Sequence, residues 1–570
     1  MSQRKIKAQR RQEKLASKIF ERNIEKTEIK GIRQILKENW KFLLILLMGV
    51  IVIYYNSLWG DFVSDDYASI TQNPDIGNLW KMIGTTPNFL NWLTYVLFGN
   101  ESTIPYHTLS LIIYLLSIVV CFVFVKKIIN EKHVTELTIL LFAVLPIHVE
   151  AVSWISGRIY MVLTIYIISG LLFFMKMIET KNWWFGVGTL IMFLLAFLTD
   201  KPRPLSLIFL IFWYLYYINN RLVKIDFSKF FLICFGVLVV AGILAYPAIK
   251  NRINNVNFGY RGDGGIFYDP FFQYPTGITK YLQLILIPID LTLYHTMYTF
   301  PVWLNWLVVL TFFSLLVWSF AKDKRYFFAL SFFLLTLAPS MAPVKVSWLV
   351  AERYVFLPSL GICLLLVLFF ADISKMLGSS FKFVLGFLGG LLVLIYAVRV
   401  VYRNIDWQTN HLLWVATVQV SPNSHNAWNN IGDDYDKLGQ YENAIKGFTQ
   451  STVMKPNYAD AFHNRANIYF KTGFFDLARD SYMTALSFNP GLIQTYISLV
   501  QIELTVGRLD AALEIANKVV DIDPNNFQVR YVKAVVLKEL DMLAEAKKEA
   551  VMSLQLNPNY QPAKQLINDL

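Results

Sequence analysis

Cysteine is nearly absent, with three in 570 residues. Cys121, Cys234 and Cys363 each sit inside an apolar run without paired or metal-type spacing, so neither a disulfide framework nor a zinc centre is supported. Charge is scarce too. Only 16% of residues are Asp, Glu, Lys or Arg, too few to clothe the three or four soluble domains that this length would otherwise suggest. A basic surplus is missing from the C-terminal part, where residues 421–570 hold 14 basic against 17 acidic side chains, which argues against a nucleic-acid partner. Gly262, Gly264 and Gly265 suggest a turn and do not make a nucleotide-binding fingerprint, because no strand precedes and no helix clearly follows them.

What the chain has in quantity is hydrocarbon. Hydrophobic residues make up 55% of it, with a mean hydropathy of +0.44, so its bulk is expected in lipid. The net charge of +12 is mostly an N-terminal feature, since residues 1–41 carry 13 Lys/Arg against 5 Asp/Glu. This segment is too polar and too long for the charged part of a signal peptide, and no small-residue cleavage site follows. It reads as a basic cytoplasmic tail that fixes orientation by the positive-inside rule and offers a contact to anionic membrane lipids.

A spanning helix needs about 20 mainly apolar residues, because in hydrocarbon each backbone polar group must be paired within the segment. About eleven runs are candidates: 42–59, 106–125, 137–147, 159–178, 184–199, 205–218, 229–248, 302–320, 327–342, 354–372 and 382–400. The apolar stretch 277–288 reads as re-entrant or interfacial, because counting it as a span would put Lys322, Lys324 and Arg325 outside. With the N-terminus inside, alternate connections carry the lysines and arginines, and the polar clusters at 60–105, 148–158, 199–204, 249–301 and 343–353 share the outer face.

After the last span Pro422, Pro456, Pro490, Pro524 and Pro558 recur every 34 residues, the tetratricopeptide period. The first unit has Trp428, Ile431, Gly432, Tyr435, Ala444 and Phe448 in place, and the second has Phe462, Ala466, Tyr469, Ala478, Tyr482 and Ala485. The third and fourth keep Ala512 and Ala546. Small residues let the two helices of each unit pack closely, and stacked units bury a core that none could form alone. The expected fold is therefore all-α: a polytopic helical membrane domain over 42–405, then an α-solenoid of about four repeats over 406–570. The concave surface of such an array suits a protein partner.

Four polar clusters could carry chemistry. Asp65 and Asp66 follow the first span; adjacent carboxylates repel, so one can take a raised pKa suited to a general base, unless Ser64 or Asp65 merely caps a helix beginning at Tyr67. His148, Glu150 and Arg158 lie between two apolar runs, where Glu150 could assist an acceptor or a metal while Arg158 neutralises phosphate, or the two could form an internal ion pair. Lys201 and Arg203 alternate with Pro202 and Pro204, which hold both cations extended outside the next helix, as an anionic lipid headgroup would need. Glu352-Arg353-Tyr354 opens another span, again as an ion pair or a phosphate clamp. The loop 249–301, with Arg252, Arg261, Asp263, Tyr294 and His295, gives no assignable role.

Together, Asp65-Asp66, Pro146-Ile147-His148-Val149-Glu150-Ala151-Val152, Gly157-Arg158, Lys201-Pro202, Glu352-Arg353-Tyr354-x-x-Leu357-Pro358-Ser359-x-Gly361 and the repeats resemble one family. The pattern is similar to the TMTC-like group, membrane proteins with tetratricopeptide repeats related to the GT-C glycosyltransferases and protein O-mannosyltransferases. Where eukaryotic relatives carry a Lys-Glu step this chain has Lys201-Pro202-Arg203, which looks more like bacterial members. The resemblance implies a GT-C membrane fold and transfer of a sugar, typically mannose, from a polyprenyl-phosphate donor to Ser/Thr hydroxyls of proteins on the non-cytoplasmic side. It implies Asp65 or Asp66 as base and Glu150 as a supporting carboxylate. Arg158, Lys201, Arg203 and Arg353 would meet the lipid phosphate, with His148, Glu352 and Tyr354 in support.

A divalent metal, Mg or Mn, could assist but is not demanded by the spacing. No Asp-x-Asp nucleotide-sugar motif is convincing, in keeping with a lipid-linked donor. The implied location is a bacterial cytoplasmic membrane, or the endoplasmic reticulum membrane in a eukaryote, with the repeats extracytoplasmic. Two rival readings stand beside this one: a non-catalytic membrane scaffold whose repeats assemble envelope or secretory proteins, and a GT-C transferase acting on glycan or lipid.

Overall fold

The structure, a computed structural model, describes residues 31–129, 131–200, 202–218, 270–298, 300–341, 348–376 and 379–570. Every regular element among the described residues is helical. Six stretches are long and apolar enough to cross a membrane: α1 (Ile32–Trp59), α2 (Ile104–Ile128), α3 (Ile155–Thr180), α4 (Val302–Lys322), α5 (Ser359–Met376) and α6 (Lys382–Ile405). A seventh arises if Lys132–Ala143 and Pro146–Ser153, bent by 52° at the break between them, count as one span. The bend falls at Pro146, which lacks the N–H that would continue the helical ladder.

Shorter apolar helices, Trp184–Thr199, Leu205–Ile218 and Lys324–Leu337, coincide with three further expected runs. The run 229–248 and the tail 1–30 lie outside the described residues. Residues 277–286 belong to the 17-residue helix Pro270–Leu286.

The apolar character of these helices runs all the way round. In α6 Phe383, Phe387, Leu388 and Leu394 point outward, as lipid-facing side chains do. The inward faces close on one core in which Tyr54, Tyr114, Phe122, Phe142 and Phe332 are fully buried. Helices α2 and α3 run in the same sense, with the bent pair Lys132–Ala143 and Pro146–Ser153 returning between them, and the molecule has two polar ends. At one, Lys127 meets Glu179 at 2.8 Å, and Arg325 is bonded to Glu131, Asp323 and Asp372. At the other end lie the segments 60–67, 146–158 and 352–355.

The last long helix leads into α7 (Asn410–Val420) and then α8 (His425–Lys437), the first helix of the repeats. Antiparallel pairs follow at the expected period, and a final helix, Gln561–Asp569, covers the last of them. Gly432 exists because a Cβ there would stand 2.8 Å from the Phe448 ring. The turn inside each pair requires a left-handed residue: Gly439, Gly473 and Gly507 have φ of +71°, +81° and +73°. The fourth repeat uses Asp541 at +58°, one of the few side chains that tolerates this region. The core of the membrane helices continues into the first repeat through Ala427 and Ile431, so the two parts are packed together.

Candidate active site

The segment after α1 is pinned before it turns. Gly60 O lies 3.0 Å from His107 Nε2, and Asp61 N–H donates to Gln408 O at 2.7 Å. A Cβ on Gly60 would lie 3.3 Å from both His107 Nε2 and Trp407 O, which leaves no slack for a larger residue. The chain then folds over Ser64, whose φ is +53°, and the turn closes with Asp66 N–H donating to Val63 O at 3.1 Å. This turn gives the two neighbouring aspartates opposite environments. Asp65 is exposed, whereas Asp66 is fully buried.

The Asp66 carboxylate accepts Val63 N–H at 3.2 Å through Oδ2 and, through Oδ1, Ser156 N–H at 2.8 Å and Ser156 Oγ–H at 2.5 Å. Burial pushes its pKa up to about 6, and the Ser156 and Val63 hydrogen bonds and the charge of Arg158 hold it from rising further. The sequence expectation of one raised carboxyl is therefore met at Asp66, but burial is the cause, not repulsion by Asp65. The alternative that Ser64 or Asp65 caps a helix at Tyr67 is not what forms: Tyr67–Thr71 has no side-chain cap.

Beyond the bend, His148 is a core residue. Its Nδ1 lies 3.2 Å from Tyr114 Oη, its Nε2 lies 2.9 Å from Ser359 Oγ, and its ring packs on Phe142 and Phe356. Glu150 is fully buried and accepts Arg353 N–H at 2.9 Å and the Arg353 guanidinium. The internal Glu150–Arg158 pair considered from sequence does not form. Arg158 donates through Nε to Ile155 O at 2.9 Å, while both its terminal nitrogens are buried without a hydrogen-bond partner. Gly157 permits this crowding, because a Cβ there would stand 2.5 Å from Glu150 O.

Glu352 and Arg353, adjacent in sequence, also part company. Glu352 is fully buried, accepting Thr292 N–H and, at 3.2 Å, Arg403 Nη2–H, with His295 Nε2 3.4 Å away. Arg353 turns the other way, towards a small pocket of about 20 Å³ that Arg203, Tyr160, Tyr354, Leu163 and Ile167 also line. The Arg203 guanidinium lies 4.7 Å from the ring centres of both Tyr160 and Tyr354, and that of Arg353 lies 5.1 Å from Tyr354. Arg203 is also ion-paired with Asp200. The pocket is thus lined by two cations, each paired with a carboxylate and lying near aromatic rings, and by aliphatic side chains.

The structure brings Arg203, Arg353 and Tyr354 together. Arg158 does not line their pocket and stands beside Asp66 instead, and Lys201 lies outside the described residues, as do Arg252, Arg261 and Asp263. Among the described residues, no three His, Cys, Asp or Glu side chains converge as metal ligands. Sequence reasoning missed Ser156, Asn410 and Arg403. Arg403 alone left a signal, a cation at the end of an apolar run on the expected outer face.

Family models described as "TPR repeat" and "Tetratricopeptide repeat" match residues 432–473 and residues 459–491 and 493–526. The chain is 25% identical over 471 residues to the human "Protein O-mannosyl-transferase TMTC3", covering 71% of this chain and 51% of that one. It is 24% identical to the Caenorhabditis elegans "Protein O-mannosyl-transferase F38B6.6", covering 74% and 63%. The chain spans about half to two-thirds of the length of these curated relatives. Among solved structures, "Crystal structure of MamA" matches at 19% identity and a TM-score of 0.25, over 27% of this chain and 90% of that one. The chain is a relative of the TMTC protein O-mannosyl-transferases that carries tetratricopeptide repeats at its C-terminus.

Proposed function

We propose that this chain is an integral-membrane glycosyltransferase of GT-C type, which moves a hexose from a polyprenyl-phosphate donor to Ser/Thr hydroxyls of a protein on the non-cytoplasmic side. The names of its relatives support the protein-directed transfer, and the repeats supply a surface for the acceptor. In this reading residues 1–41 are a cytoplasmic tail, 42–405 the catalytic membrane domain and 406–570 the acceptor-binding repeats.

The observation that carries the reading is the division of labour at Asp65–Asp66, on a loop bonded to Ser156. Asp66 is spent on holding its loop to Ser156, while Asp65 is left exposed beside it. Ser156 and Tyr160 lie four residues apart, so one short stretch anchors the aspartate loop and lines the pocket.

Asp65 then accepts the proton of the acceptor hydroxyl as its oxygen attacks the anomeric carbon. The bond between that carbon and the phosphate oxygen breaks on the opposite side, and the polyprenyl phosphate leaves with the electron pair, inverting the centre. Arg203 and Arg353 offset the charge that develops on the phosphate, and Leu163 and Ile167 face the first isoprene unit. Glu150 serves by orienting Arg353, and Arg158 by offsetting the charge of Asp66.

The test is transfer of hexose from a polyprenyl-phosphate donor to Ser/Thr peptides, read by mass spectrometry in membranes carrying the wild-type chain or Asp65→Asn at matched abundance. Hexose added by the wild type and lost in the variant supports the proposal. Equal modification by both excludes Asp65 as base, and no peptide modification by the wild type moves the assignment to a glycan or lipid acceptor or to a scaffold.

A further inference from the structure

The loop that carries the aspartates is completed by a residue from the start of the repeat region. Asn410, the first residue of α7, accepts Ser64 N–H through Oδ1 at 2.8 Å across 346 residues of sequence. Ser64 is the left-handed residue of the turn, with φ of +53°. A non-glycine side chain rarely holds that conformation without an outside contact that fixes it. The neighbouring contacts run the same way: Asp61 N–H donates to Gln408 O at 2.7 Å, and the Lys437 ammonium lies 5.9 Å from the centre of the Tyr67 ring.

Helix α7 is in turn tied to the first repeat, with His411 Nδ1 2.8 Å from Asp434 Oδ2. Thr409 caps α7 by accepting Leu412 N–H at 3.2 Å, so the Asn410 side chain is not needed as a cap and is free to serve the loop.

We infer that Asn410 is a positioning residue for the candidate active site: by accepting the Ser64 N–H it fixes the turn that presents Asp65 outward while Asp66 stays bound to Ser156. The start of the repeat region is therefore part of the catalytic loop as well as the lead into an acceptor-binding surface. This rests on the transferase reading above for its consequence in catalysis, but its structural half stands without it. Loss of the Asn410 acceptor leaves the Asp66 bonds to Val63 and Ser156 in place and releases only the Ser64 turn. The expected signature is a fall in kcat at nearly constant donor KM, because the cations of the pocket are untouched.

The experiment compares the full-length wild type with Asn410→Ala and Asn410→Asp in detergent. Asp keeps an acceptor oxygen at the same place and suits the first turn of a helix. Two readouts are taken: hydrogen exchange of peptides within residues 60–72, and hexose transfer with kcat and KM for a polyprenyl-phosphate donor.

The expected result is at least tenfold faster exchange at the Ser64 turn and a tenfold fall in kcat for Asn410→Ala. Both should return to near wild type in Asn410→Asp, at equal thermal midpoints. Exchange unchanged by Asn410→Ala overturns the inference, and so does faster exchange with kcat intact. A loss of kcat that Asn410→Asp does not restore also overturns it. A wild type that transfers no sugar sinks the transferase reading, and the exchange arm then decides by itself whether Asn410 holds the turn. If Asn410→Ala fails to fold, the Asn410→Asp and Asn410→Ser pair decides by the same readouts, with Ser expected to lose the contact.

Discussion

Glu150 and Arg353, 203 residues apart, form a buried ion pair in which one carboxylate oxygen accepts the Arg353 backbone N–H at 2.9 Å and the other meets its guanidinium. Two loops from different parts of the chain are thereby joined where the candidate pocket begins, with the Arg353 guanidinium 5.3 Å from the centre of the Trp154 ring. A carboxylate with no exposure depends on that partner. Removing the cation leaves an uncompensated buried charge, which costs about 3–5 kcal/mol. Arg353→Ala is therefore expected to lower the unfolding midpoint in mild detergent sharply. Glu150→Gln with Arg353→Met, which removes both charges, should recover most of that stability without recovering transfer. If the single variant is as stable as the wild type, the pair is not buried as described.

The pH dependence of stability isolates Asp66. Its carboxyl is raised from 3.8 to about 6 by burial, so between those values the folded chain holds a proton that the unfolded chain releases. Stability then falls as pH rises through that window, by about 3 kcal/mol in total at a little over two pK units. Asp66→Asn has no proton to lose. Thermal midpoints measured from pH 4 to pH 7 should fall more steeply for the wild type than for the variant, and parallel curves would show that Asp66 is not a desolvated carboxyl.

The two aspartates are expected to fail in different ways. Asp65→Asn keeps the fold and removes a proton acceptor worth about 10²–10⁴-fold in rate. Asp66→Asn places an amide where three hydrogens converge, so at least one N–H is left facing a donor, at a cost of about 1–3 kcal/mol. Kinetics at matched abundance, with melting curves alongside, separate the two. A stable, fully active Asp65→Asn together with an inactive but stable Asp66→Asn would reverse the assigned roles.

The repeats were legible in the sequence, because a 34-residue period reports a local unit whose helices pack on their immediate neighbours. The left-handed turns went unread, although Gly439, Gly473 and Gly507 recur at that period. The long apolar helices were legible for the same reason: hydropathy is a property of a continuous stretch. Partner choice was not. Spacing along the chain suggested Glu150 with Arg158 and Glu352 with Arg353, yet Glu150 meets Arg353 and Glu352 meets Arg403. A buried charge takes the partner that helix packing brings to it, and that packing joins residues hundreds of positions apart. Ser156 and Asn410 escaped notice because a serine and an asparagine carry no signal until their neighbours in space are known.

The Gly157-Arg158 step shows how a backbone contact supports both halves of the candidate site. Gly157 follows the serine that holds Asp66, and a Cβ on it would stand 2.5 Å from Glu150 O and 3.2 Å from the Ala151 Cα. Those are backbone atoms, so no side chain can swing aside to make room. Gly157→Ala must push the 150–151 backbone away, which disturbs the Glu150–Arg353 pair on one side and the Ser156–Asp66 bonds on the other. Overpacking of this kind costs about 1–3 kcal/mol. Gly386 in α6 is the matched control, since nothing lies within 4 Å of a Cβ there and Ala suits a helix interior better by about 0.5–1 kcal/mol. Gly157→Ala should therefore melt lower and lose transfer, while Gly386→Ala should melt no lower than the wild type and keep its activity. Equal melting temperatures and equal rates for the two variants would mean that the 150–151 and 156–158 segments do not touch.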